Sequence, residues 1–153
     1  MIAKRIAQKL LKAQGGFGSP LPTPEEADDY MNHLPSVLYH ATFSVHEKPI
    51  LKNGLLLSSQ APLNLFNKNP DAPQDMNGVY LAADPQVALG FLDRAWENED
   101  IPEGYFKKYS LFQVNVNDLD LTKLEPDPQY WDYELTYIYR GTIPASALTL
   151  VKE

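Results

Sequence analysis

Apolar and polar positions recur in two different periods along the chain, and they predict helices and strands in irregular succession. Ile2, Ala3, Ile6, Ala7, Leu10 and Leu11 recur at helical spacing, with Lys4, Arg5, Lys9 and Lys12 between them. That pattern predicts a short basic amphipathic helix over residues 1–14. The run GGFGSPLPTP, Gly15 to Pro24, cannot sustain a helix or a central strand and reads as a linker over residues 15–24. Thr23, Pro24 and Glu26 then make a helix-start signature: a hydroxyl for an orphan amide, a proline suited to the first turn, and a glutamate placed to reach back. The helix is expected from about Pro24 to His33.

SVLYHAT, Ser36 to Thr42, is rich in β-formers and predicts a strand. Residues 45–59 read as a broken helical turn, limited by Pro49, leading into a second strand at Leu55 to Ser58. Residues 59–77 are crowded with Pro, Asn and Asp and follow no period, so a long loop is expected there. Gly78 to Ala83 predicts a short strand, and Asp84 with Pro85 opens a helix through about Trp96 that carries Val87, Ala88, Phe91 and Ala95 on one face. Tyr109 to Val116, Tyr133 to Gly141 and Ser146 to Val151 predict the remaining strands, with DLDLTKLEPDP as a turn-rich connection. No internal repeat or regular βαβ alternation is visible, so the order predicts an α+β domain over residues 25–153.

At 153 residues and 44% hydrophobic content, one domain buries a core large enough to fold alone. The formal net charge of −7 repels polyanions, so no stable nucleic-acid complex is expected. The absence of cysteine excludes a disulfide framework, a thiolate zinc site and a thiol nucleophile. No run approaches the roughly 18 apolar residues of a membrane span, and no secretory signal is visible. A soluble, cytoplasmic protein is expected, or an effector delivered by another route. His33, His40 and His46 do not follow a metal-binding spacing, so no metal site is expected. Neither a Rossmann nor a P-loop glycine turn is present.

The chemistry-bearing positions are His40 in LYHAT, Tyr80 in NGVYLA, Phe91 eleven residues later, and Glu134 in DYELTYIYRG, followed by IPASAL. Together they resemble the His-Tyr-Glu signature of ADP-ribosyltransferases related to diphtheria toxin and the poly(ADP-ribose) polymerases, over roughly Val37 to Val151. The resemblance implies a split mixed β-sheet core with two or three flanking helices, NAD as co-substrate and no metal. It implies that His40 contacts a ribose hydroxyl and that the backbone of Ala41, where the family usually has glycine, grips the nicotinamide amide beside Thr42. Tyr80 and Phe91 would cover the two faces of the nicotinamide ring. Glu134 would be the catalytic carboxylate, with Thr136 on the same strand face as the alternative occupant of the third position.

The reaction so implied is mono-ADP-ribosyl transfer: cleavage between nicotinamide and ribose, with ADP-ribose passing to a macromolecular acceptor. The acidic charge favours a protein acceptor. Two other readings stay open. One is a catalytically inactive binding module on the same fold. The other is an NAD-dependent RNA 2′-phosphotransferase on a related fold, which needs several arginines where only Arg140 lies near the signature strands. The apolar face of the N-terminal helix is expected to dock on the domain, a partner or a membrane surface, since so short a helix is marginal alone in water.

Overall fold

The structure is a computed structural model and describes residues 22–57, 77–98, 101, 103–127 and 135–151. The N-terminal helix, nearly all of the linker, the long loop and Glu134 lie outside the described residues.

Helix α1 (Pro24–Met31) starts as its signature requires. Thr23 Oγ1 accepts from the Glu26 amide at 3.2 Å, and Glu26 Oε1 accepts from the Thr23 amide at 3.2 Å. The helix ends at Met31 and Asn32 caps it, so it is shorter than the expected run to His33. Strand β1 (Val37–Phe43) is followed by a single 3-10 turn, Ser44–His46, and by helix α2 (Glu47–Asn53). Pro49 is tolerated because it falls in the first turn, where an amide would lack an intrahelical partner anyway. Gly54 then takes φ 81°, and a Cβ there would fall 2.1 Å from the Ile143 carbonyl oxygen, so only glycine fits. Close approach lets Leu55 and Ile143 exchange two backbone hydrogen bonds at 2.8 and 2.9 Å. That isolated bridge stands where a second strand was expected from Leu55.

Strand β2 (Val79–Ala82) leads into helix α3 (Pro85–Asn98). The Asp84 carboxylate accepts from the Gln86 amide at 2.8 Å at the start of α3. Strand β3 (Tyr109–Asn115) follows, then β4 (Leu124–Pro126), β5 (Thr136–Tyr139) and β6 (Leu148–Val151). Strand β4 lies inside the connection that the sequence reads as turns. Its three residues are ordered by their partners Tyr137, Ile138 and Tyr139 rather than by a pattern of their own.

The six strands run in the order β4-β5-β2-β1-β3-β6. Every pairing among the described residues is antiparallel, so the expected mixed sheet is corrected to an antiparallel one. β1 and β3 register over seven pairs, Val37 with Asn115 through Phe43 with Tyr109, whereas β1 and β2 register at one pair, Tyr39 with Ala82. The sheet therefore consists of two three-stranded halves, β4-β5-β2 and β1-β3-β6, joined at a narrow seam.

Alternation assigns the faces. Leu38 and Val114 from one half, and Val79, Leu81, Tyr137 and Tyr139 from the other, share a core with Tyr30, Leu55 and Ile143. The opposite face of β1 meets α3: Phe43 packs on Trp96 at 6.2 Å between ring centroids, and Ala88, Leu92 and Ala95 are buried.

Candidate functional site

The seam between β1 and β2 brings His40 and Ala41 beside Tyr80. Ser36 and Ser44, at the two ends of β1, bond to Val116 and Lys108 at the two ends of β3, so the even-numbered peptides of β1 are tied to that strand. The odd-numbered peptides of Tyr39 and Ala41 consequently face β2. Tyr39 finds Ala82 there, and Ala41 lies just past that last register pair. The N–H and C=O of Ala41 are thus turned toward the place where the two strands part.

His40 occupies the same place. Its Nδ1 lies 2.8 Å from the backbone oxygen of Tyr80. A carbonyl only accepts, so Nδ1 carries the hydrogen and donates it. Burial pushes the imidazole below its ordinary pKa of 6.5, and the hydrogen bond to the Tyr80 carbonyl opposes that shift only in part. The ring is therefore neutral at physiological pH, in the tautomer that leaves Nε2 as a lone-pair acceptor. An acceptor at that atom suits a hydroxyl donor such as a ribose 2′- or 3′-OH.

Tyr80 is partly buried and shares a face of β2 with Ala82. By register this is the face of Tyr39, hence of Phe43, on which α3 packs. Phe91 projects from α3 and is also partly buried. The guanidinium of Arg94 sits over its ring, 4.8 Å from the centroid. The structure thus puts Tyr80 and the helix that carries Phe91 on one side of the sheet. Thr42 is buried opposite Ser110 on β1's other face.

Glu134, the implied carboxylate, lies outside the described residues. Thr136 is described: it stands opposite Ala82 on β5, on the face of Tyr80, and is 1% exposed. Its Oγ1 is buried and has no hydrogen-bond partner among the described residues. Both polar atoms of its peptide are held by one distant group. The Tyr30 hydroxyl donates to Thr136 O at 2.8 Å, which also accepts from the Asp127 amide at 3.1 Å, and it accepts from Thr136 N at 2.6 Å.

Arg140 is committed to structure, with Nε and Nη2 on Glu125 at 2.9 and 2.7 Å and Nη1 on the carbonyl of Asn77 at 2.9 Å. It ties β5 to the residue before Gly78. Gly78 must be glycine because a Cβ would meet the Ile138 side chain at 2.5 Å. Among the described residues no group of three His, Cys, Asp or Glu side chains is placed to hold a metal ion, and no helix is long and apolar enough to cross a membrane.

Sequence reasoning did not find the contact of Arg94 with the Phe91 ring, although their three-residue spacing on a helix was a usable signal. Nor did it find Tyr30, whose role depends on a partner 106 residues away. No family model matches the sequence and no curated protein matches it, so the reading of the site rests on its own residues and geometry.

Proposed function

We propose that the protein is an NAD-dependent mono-ADP-ribosyltransferase whose site lies at the seam between the two halves of its sheet. The observation that carries this reading is His40, held neutral with Nε2 as acceptor, next to a peptide at Ala41 that faces the parting of β1 and β2. A ribose hydroxyl fits the first, and a carboxamide, which both donates and accepts, fits the second. Tyr80 and Phe91 supply rigid aromatic faces for a planar ring on the α3 side of the sheet, while His40, which alternates with Tyr39, reaches the seam from the other face. Two three-stranded halves joined at one register pair support the finer reading of the fold as the split ADP-ribosyltransferase core.

On this reading Glu134 faces the positive charge that grows on the ribose as nicotinamide leaves, an interaction that strengthens only as the bond breaks. A macromolecule, more fittingly a protein than a polyanion given the charge of −7, then takes the ADP-ribose. One observation favours a second reading. Thr136, not a carboxylate, stands buried on the Tyr80 face of β5, and if it fills the third signature place the chain is an inactive module that still binds NAD. The phosphotransferase reading loses its one candidate arginine, since Arg140 is held by Glu125 and Asn77.

The test is release of free nicotinamide from NAD by the purified protein, with and without a cell lysate as acceptor. Wild type is expected to release it, and Glu134→Gln to fall by roughly a hundredfold or more while NAD affinity changes little. Binding of NAD without release under any acceptor condition would establish the inactive module instead.

A further inference from the structure

His40 enters the seam from the face of β1 that carries Leu38 and Thr42, whereas Tyr80 and the helix that bears Phe91 lie on the other. On the transferase reading, a ligand whose planar ring rests on the α3 side and whose first ribose meets His40 passes through the parting of β1 and β2. Its remainder emerges on the His40 face, beside Thr42. What lines that face decides which second ribose the protein accepts.

Along β1 that face changes character. Leu38 sits in the apolar core with Val114, and Ile50 of α2 packs against the same cluster. Past His40 the facing pair is Thr42 and Ser110, both buried. Ser110 Oγ donates to Glu47 Oε1 at 2.7 Å. A hydroxyl has one hydrogen, and the carboxylate takes it. Ser44 Oγ, 3.1 Å from Ser110 Oγ, consequently gives its own hydrogen to Ser110. This chain of two hydroxyls, running from the end of β1 through β3 to α2, fixes one oxygen of Glu47. The other oxygen, Oε2, has no hydrogen-bond or ion-pair partner among the described residues, although the side chain is partly buried. Ser110, which holds the carboxylate, is the diagonal neighbour of His40 on the ladder, about 7–8 Å away. Two acceptor atoms, Nε2 of His40 and Oε2 of Glu47, thus stand on one face at a spacing that reaches different parts of one extended ligand.

We propose that Glu47 accepts a hydrogen bond from the 2′-hydroxyl of the adenosine ribose through Oε2, and so makes the site select NAD over its 2′-phosphorylated form, NADP. This rests on the transferase reading for the identity of the ligand. A carboxylate only accepts, so it suits a free hydroxyl, which has a hydrogen to give. A 2′-phosphate has none at physiological pH and sets a second negative group against the first. Glu47 is then a binding residue that sets specificity, remote from the bond that breaks, and Ser110 is the residue that positions it.

The experiment titrates NAD, NADP and nicotinamide mononucleotide, which lacks the adenosine, by calorimetry into wild type, Glu47→Gln and Ser110→Ala without any acceptor. Wild type is expected to bind NAD more tightly than NADP by about tenfold or more, the scale of a hydrogen bond to a charged group. Glu47→Gln keeps an oxygen for Ser110 and turns a donor amide toward the ligand. NADP should therefore gain and NAD lose until that gap closes by about tenfold, with nicotinamide mononucleotide unchanged. Ser110→Ala leaves the carboxylate charged but unheld, so it should weaken NAD by a smaller factor and keep NADP the weaker ligand. Equal affinity of wild type for NAD and NADP overturns the proposal while the transferase reading stands, and so does an unchanged gap in Glu47→Gln. An equal loss for nicotinamide mononucleotide also overturns it, because Glu47 would then act through the fold around His40. If wild type binds no NAD, both readings fall together.

Discussion

Tyr80 and Phe91 are asked to contribute flat surfaces, and flatness is separable from everything else the two side chains do. Tyr80→Phe removes only a hydroxyl, so NAD affinity should be nearly kept, whereas Tyr80→Ala removes the ring and should lose on the order of 1 kcal/mol or more. Phe91→Leu keeps volume and loses the ring, and with it the platform under Arg94. If Phe91 stacks on nicotinamide, Phe91→Leu weakens NAD in a calorimetric titration with little change in melting temperature. A lowered melting temperature with NAD affinity intact would make Phe91 a packing residue. The places of His40, Ala41, Tyr80 and Phe91 on two strands and a helix were legible because each sits in a short stretch whose text carries its own secondary-structure pattern. The third position was not. Glu134 and Thr136 share parity along the strand that the sequence predicts, so alternation fits either, and only a measured loss of turnover chooses between them.

At the level of elements, patterns with a period were readable and pairings without one were not. The capping box at Thr23 and the Asp84 start of α3 are local, and both form as their residues dictate. Strand β4 has three residues, one of them a proline, and its place is set by β5, which no window of sequence contains. The expected strand at Leu55 contracts to one bridge because its partner, Ile143, is a single residue outside the named strands. Tyr30 is the clearest case of a contact written into the fold and invisible in the text. Its hydroxyl ends α1 against β5 by satisfying both polar groups of Thr136, in full burial. Tyr30→Phe leaves the Thr136 amide buried without that acceptor, while Thr136 O still accepts from the Asp127 amide at 3.1 Å. The expected cost is about 1–3 kcal/mol in urea denaturation, with the m-value unchanged. A midpoint equal to wild type would mean that water replaces the hydroxyl and that α1 does not brace β5.

Across the whole molecule, burial of titratable rings confines stability to a window around neutrality, and both edges have a definite sign. His40 and His46 are held below their ordinary pKa, in each case chiefly by burial. Below about pH 6.5 the unfolded chain takes up protons on these rings that the folded chain refuses, so stability falls as pH drops. On the other side, burial raises Tyr137 to about 12. Tyr109 is raised to about 12 by burial and by the hydrogen bond and charge of Asp93. Tyr30 is held far above its ordinary value, first by burial. Above about pH 10 the unfolded chain gives up phenolic protons that the folded chain keeps, and stability falls again as pH rises. Melting temperatures measured from pH 5 to 11.5 should therefore form a plateau between about 6.5 and 10 with a decline on each side. The double variant His40→Asn/His46→Gln, uncharged throughout, should start from a lower plateau but flatten the limb between pH 6.5 and 5, where few carboxylates titrate. An acid limb as steep in the double variant as in wild type would trace the loss to the carboxylates. The neutral, acceptor-bearing form of His40 would then no longer follow from its burial, and the ribose contact would have to be sought at another atom of the seam.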